Sequence, residues 1–216
     1  MNIHARIPAA GRPGNTRLYD DFVGPAGAPI HRWLPSFVRD DAAWKACLAA
    51  PASVAVAVVD QMRAYNESLG VCSSVCERLT GLGTGAVRTV VTGQQPGVMG
   101  GPLMSVYKAA AAVAVAARIE AVSGQACVPV FWLGADDDDF NEIRELSVLA
   151  RDGSRVDVAV EAAAFRPGLR VGDIPATAVR SLWSAVAPVL PEGAFRDHMS
   201  AVADAAGDFA DAAARA

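Results

Sequence analysis

The sequence predicts an α/β protein: a parallel sheet, incomplete by strand count, behind a helical N-terminal region. Three observations predict it. VRTVVT (87–92) is short and β-branched, which suits a buried strand. VPVFWL (128–133) is a continuous apolar run, as in a strand covered on both faces. Between them lies an alanine-rich stretch that Pro102 opens and Ser123–Gly124 closes, the punctuation of a helix through about Val122. Strand, helix and strand of these lengths make a βαβ unit with parallel strands.

Residues 1–40 are rich in Pro and Gly, with Tyr19, Phe22, Trp33 and Phe37 interspersed. They read as an extended arm whose aromatics are packing anchors. Helical patterning begins near Asp40, with aspartates suited to a cap and first turn. A second helix is expected from about Pro51 to Gly70, and a third from Ser73 to Leu82. Residues 1–82 thus form the arm and N-terminal helices packing on the core, and residues 83–216 the core. Beyond the βαβ unit, ELSVLA (145–150) and RVDVAV (155–160) flank Arg151-Asp152-Gly153-Ser154, a hairpin signal. Helices are then expected at Ala176–Leu190 and Ala194–Ala214. Three or four strands are fewer than a doubly wound sheet uses. The core is therefore expected to be the front part of something larger, truncated at its C-terminal side.

The 216 residues allow a real core, and with 52% hydrophobic residues, many Ala or Val, it is built of small side chains. A net charge of −4 with no basic block argues against nucleic acid or an anionic membrane as partner. The longest apolar run, Ala109–Ala117, is too short to span a bilayer, and no secretory h-region opens the chain. A cytoplasmic location is expected. Cys47, Cys72, Cys76 and Cys127 form no CxxC pair and read as buried thiols. His4, His31 and His198 are scattered without metal-ligand spacing, so no metal site is expected.

Two segments carry the chemistry. The first, TVVTGQQPGVMGGPLMSVYK (89–108), ends its strand at Thr92, so Gly93–Gly101 lies at the ligand-binding carboxyl edge of the sheet. Its glycines at 93, 97 and 100 follow GxxxGxxG, which is neither the dinucleotide fingerprint nor a Walker loop. Glycines such as Gly97 and Gly101 let a ligand approach the backbone, and Gln94 and Gln95 each offer a donor and an acceptor to a sugar or amide. The helix start near Pro102 suits a phosphate or carboxylate. Tyr107 and Lys108 fall one to two turns into the helix, where Lys108 either reaches back or is solvated.

The second segment, WLGADDDDFNEI, sets Asp136, Asp137, Asp138 and Asp139 at the same edge. Four adjacent carboxylates repel, and a cation or raised pKa values would ease that strain. They suit sugar hydroxyls, Mg²⁺, or a general base. The bland alternatives are a tight strand-to-helix connection and a solvated turn capping a helix at Asn141–Leu146. Parallel strands aim both segments into one cleft.

Together they resemble the bacillithiol biosynthesis cysteine-adding enzymes, the BshC family, whose members carry TGQQxGxxxGPLxxxYK-like and PVFWxxxEDHDFxEI elements. Here these read TGQQPGVMGGPLMSVYK and PVFWLGADDDDFNEI, and RAYNESLG (63–70) resembles the family's N-terminal helical region. The likeness covers about residues 60–150. It implies a Rossmann-like core, a coiled coil that pairs two subunits, and addition of cysteine to glucosaminyl malate as the last step of bacillithiol synthesis. Both substrates are small molecules.

The resemblance assigns Thr92, Gly93, Gln94, Gln95, Gly97, Gly101, Tyr107 and Lys108 to substrate binding. It assigns Asp137 and Asp139 to catalysis, with Asp138 between them. Asp138 stands where the family has His, and Asp136 where it has Glu. Family members are much longer, and the coiled coil has no counterpart here. No cofactor is specified; a nucleotide is compatible with the chemistry. The competing readings are a truncated, non-catalytic relative that keeps the cleft, and a generic nucleotide-binding Rossmann protein.

Overall fold

The structure, a computed structural model, describes residues 13–24, 29–33, 41–49, 53–161 and 164–216. In the arm, α1 (Arg17–Val23) is capped by Thr16, whose Oγ1 accepts from the Tyr19 N–H at 3.2 Å. No residue of α1 is buried. Tyr19 is exposed and Trp33 is 83% exposed, so neither is the packing anchor expected. Phe22 instead meets the edge of the His31 ring. Phe37 lies outside the described residues.

Three helices follow: α2 (Asp41–Ala49), α3 (Val56–Ser68) and α4 (Ser73–Thr84). Helix α3 starts at Val56, later than expected, because Val54 is held extended by its N–H bond to the Leu82 carbonyl. Pro51, its expected first residue, lies outside the described residues.

The βαβ unit is present. Strand β1 (Arg88–Gln94) pairs in parallel with β2 (Cys127–Leu133), from Arg88↔Cys127 to Gln94↔Leu133. Helix α5 (Leu103–Ser123) connects them and ends on Gly124 at φ +70°, a left-handed C-cap. The side-chain period of two sorts this pair into two cores. Val128 and Val130 meet Val59, Leu79 and Leu82 of α3 and α4. Val90 and Cys127 meet Ala116 and Ile119 of α5, with Trp44 and Leu48 of α2 outside them.

Coverage stops short of the carboxyl edge. Val91, Phe131 and Trp132 are exposed, so β2 is not enclosed on both faces as its apolar run predicts. The physical reason is the small sheet: among the described residues β1 and β2 have only each other, and α5 cannot shield both ends.

After a one-turn helix α6 (Phe140–Ile143), β3 (Glu145–Leu149) and β4 (Arg155–Ala159) form the expected hairpin. It is a separate antiparallel sheet and does not extend the parallel pair. The largest core joins the hairpin to α7 (Ala176–Val186), α8 (Ala194–Ala205) and α9 (Phe209–Arg215) around Val171, Ile174 and Val186.

The single helix expected at Ala194–Ala214 is two helices. Asp208 breaks it by accepting from the Asp211 N–H at 2.8 Å and bridging to Pro175. Helix α9 packs on the glycine turn and on the Val171–Asp173 turn. Cys76 and Cys127 are buried, as predicted, but Cys72 at the start of α4 is exposed; the Cys47 side chain is outside the described ones. No described helix is long and apolar enough to cross a membrane.

Candidate functional site

The register Gln94↔Leu133 brings the ends of β1 and β2 level. The two connections then touch at once: the Gly134 N–H donates to the Gln94 carbonyl at 2.9 Å. Strand β1 runs past Thr92, so Thr92, Gly93 and Gln94 belong to the strand rather than the turn. The partner across from Gly93 is Trp132, and a Cβ built on Gly93 would stand 2.5 Å from its carbonyl oxygen. Close approach, not a left-handed backbone, demands glycine there.

Three contacts knit the segments together. Lys108 reaches back, its Nζ donating to the Gly93 carbonyl at 3.0 Å and to Gln94 Oε1 at 2.6 Å. Gln95 Nε2 donates to Asp137 Oδ2 at 2.6 Å. An ammonium only donates and a carboxylate only accepts, so both amides are oriented. Gln94 is left with its NH₂ and Gln95 with its carbonyl oxygen, neither bonded elsewhere among the described residues. Two glutamines thus present one donor side and one acceptor side.

Asp137 also accepts the Asp139 N–H at 2.9 Å. That backbone bond first, and the Gln95 amide second, hold its carboxyl below the ordinary aspartate range. This is opposite to the raised value expected for crowded carboxylates, because bonds to the charged form outweigh its desolvation. A carboxylate so held is a weak base and a firm hydrogen-bond acceptor.

The acidic turn is pinned from behind: the Val171 N–H donates to the Asp137 carbonyl at 2.7 Å, and that of Gly172 to the Ala135 carbonyl at 2.9 Å. Asp136, Asp138 and Asp139 are exposed. Asp139 occupies the N-cap of α6 without a side-chain cap bond. The expected helix at Asn141–Leu146 is only α6, because β3 pairing begins at Glu145. Among the described residues, no group of three or more His, Cys, Asp or Glu could hold a metal ion.

Gly97 and Gly101 are the waist of the turn. A Cβ on Gly97 would fall 2.4 Å from the Gly101 Cα, and Gly101 has φ +82°. Beneath the waist, a cavity of about 20 Å³ is lined by Val98, Met99, Leu182, Trp183, Val202 and Phe209 among others. It is apolar, and neither glutamine nor Asp137 lines it. Tyr107 is exposed on α5, with no hydrogen bond to the cluster among the described residues.

One residue escapes the sequence reading: Ser105, in the first turn of α5, is buried with its Oγ unpartnered. Its signal was a serine three residues after the proline that opens the helix.

Residues 38–215 match the family described as Bacillithiol biosynthesis BshC, N-terminal Rossmann-like domain. Curated relatives named for a cysteine ligase, BshC, align with the same region. One from Desulforamulus reducens is 33% identical over 145 residues, 67% of this chain and 26% of the relative. One from Exiguobacterium sibiricum is 39% identical over 106 residues, 49% of this chain and 20% of the relative. One from Koribacter versatilis is 32% identical over 150 residues, 68% of this chain and 28% of the relative. The chain therefore spans only about a quarter of the length of the relatives it matches.

Proposed function

We propose, from the premise that this chain belongs to the BshC family through its N-terminal Rossmann-like domain, that it supplies the substrate-holding edge of a cysteine ligase of bacillithiol biosynthesis. The reaction forms an amide between the carboxyl of cysteine and the amine of glucosaminyl malate, a carboxyl oxygen and two amine protons leaving overall as water, and it is the pathway's last step. The observation that carries this reading is the 2.6 Å bond between Gln95 and Asp137, which couples the two family segments directly.

Each oriented group has a task. The Gln94 NH₂ and the Gln95 carbonyl oxygen take sugar hydroxyls or an amide, one as donor and one as acceptor. Lys108 fixes Gln94 and adds a positive charge at the strand end. Asp137 fixes Gln95 and accepts from a substrate hydroxyl or ammonium, a role its lowered pKa favours over proton abstraction. Asp138 and Asp139, exposed beside it, are the carboxylates open to the incoming amine. Thr92, Gly93, Gly97 and Gly101 shape the backbone that the substrate meets, and Tyr107 stands at its outer rim.

The test has two arms. Glucosaminyl malate is titrated calorimetrically into the wild-type chain and into Gln95→Ala. The chain is also incubated with glucosaminyl malate and cysteine, with a longer family member as positive control, and the thiol product is sought by mass spectrometry. Saturable binding that weakens about tenfold or more in Gln95→Ala, the worth of a well-formed polar contact, supports the reading. No binding to the wild type, or no product while the control reacts, counts against the holding role and the ligase role respectively.

A further inference from the structure

Three consecutive residues of the glycine turn have positive φ: Met99 at +53°, Gly100 at +88° and Gly101 at +82°. Glycine adopts such a backbone freely, whereas a Cβ makes it unfavourable. Met99 is the one non-glycine residue in this state among the described residues, so its side chain must offset the strain elsewhere.

The offset lies beneath the turn. Met99 packs against the core that α7, α8 and α9 build, and it lines the apolar cavity there with Leu182, Trp183, Met199 and Phe209. An unbranched thioether side chain suits so unevenly filled a seat. From Gly97 to Gly101, Val98 and Met99 alone carry side chains, and both belong to that core. The Gly101 N–H closes the turn on the Val98 carbonyl at 3.0 Å, and α5, which carries Lys108, starts at Leu103 just beyond.

We propose that Met99 is a positioning residue: it anchors the glycine turn to the helical core and so sets how β1 hands over to α5, which brings Gln94 and Lys108 together. The inference rests on the reading of this edge as a substrate holder and adds the residue that fixes its shape from below. Met99 acts through the backbone of residues 97–101, not by contact with substrate.

The test first reads the turn without a ligand. Amide hydrogen exchange is followed by mass spectrometry in the 216-residue chain, for peptides covering 97–101 and, as an internal control, the α3–α4 pair, which belongs to another core. Met99→Gly keeps the left-handed backbone and removes the anchor, so exchange at 97–101 should quicken about tenfold or more with the control unchanged. Calorimetric affinity for glucosaminyl malate should fall about tenfold in the same variant, although Gln94, Gln95, Lys108 and Asp137 are all present. Met99→Leu, which keeps an apolar anchor of similar volume, should hold both within about threefold of the wild type.

Should Met99→Gly fail to fold, Met99→Ile against Met99→Leu decides. The two side chains are isomers, but a β-branched residue tolerates positive φ far less, so Ile should free the turn and Leu should not. Equal exchange in those two, or a Met99→Gly turn that exchanges no faster than the wild type, overturns the proposal, since a side chain that merely fills the core would lower the melting temperature alone. Unchanged ligand affinity in a variant whose turn has loosened overturns it as well. Quickened exchange in a chain that binds no glucosaminyl malate even as wild type would remove the substrate reading and leave the anchor in place.

Discussion

After β1 the chain passes through Pro96, Gly97 and Val98, all buried, and packs its turn against α9. After β2 it passes through Asp136, Asp138 and Asp139, all exposed, and is tied by backbone bonds to the Val171–Asp173 turn. The first connection is a floor, with glycines where backbone meets backbone and the Gln94 side chain locked by Lys108. The second is a charged rim, of which Asp137 alone turns inward to meet the floor. Rigid placement and accessible charge are thus divided between two loops. Substitutions should therefore cost most in the floor and least on the rim.

The largest effect belongs to Gly93→Val. Its Cβ would sit 2.5 Å from the Trp132 carbonyl oxygen and 3.0 Å from the Trp132 Cβ, so backbone must move. A loss of about 3 kcal/mol, the upper part of the range for overpacking, is expected in the denaturant midpoint. A wild-type midpoint would show that the two strands are not this close, and the contrast between floor and rim would lose its basis.

Next comes Lys108→Met, which keeps the stem and removes the ammonium. Gly93 loses one acceptor contact and Gln94 its orienting partner. A loss of about 1–3 kcal/mol is expected for charged hydrogen bonds in this half-buried place. The substrate affinity lost by Gln95→Ala should be matched here, since a Gln94 free to turn no longer presents its NH₂. A variant as stable as the wild type would make Lys108 a solvated side chain after all.

Much of this division was legible in the sequence, and the limits are physical. The βαβ unit could be read because β-branched runs, a proline and a C-cap glycine mark its ends locally. Parallel strands alone imply that the glutamines and aspartates share an edge. Which amide meets which carboxylate depends on register, and register is set by pairing across more than thirty intervening residues. The helix break at Asp208 has a local half, the Asp208 cap on the Asp211 N–H, and a distant half, the bridge to Pro175, and only the second is hidden from the sequence. Exposed Trp33 and Cys72 show the same thing: apolar type predicts burial only where a partner surface exists. Lys108 had two readings until the helix start at Leu103 fixed its reach.

The smallest effects separate the aspartates themselves, by a difference present near neutrality that closes in acid. Asp137 is held below the ordinary value of 3.8 by the Asp139 amide and by Gln95. A depressed carboxyl contributes stability that is present above its unfolded pKa and lost as pH falls through its folded one. Melting temperature followed from pH 6 downward should therefore drop through and below about pH 4. Asp157 and Asp152 in the hairpin, lowered by their own hydrogen bonds, add to that fall in every variant. The informative quantity is thus the difference between variants. Asp137→Asn cannot ionise, so its curve should lie lower near neutrality and converge on the wild type in acid. Asp138→Asn, exposed and without a side-chain hydrogen bond among the described residues, should match the wild type near neutrality within the ~0.5 kcal/mol typical of surface changes. If Asp137→Asn lay on the wild-type curve from neutrality into acid, Asp137 would belong to the rim with its neighbours, and the link between floor and rim would contribute nothing to the fold.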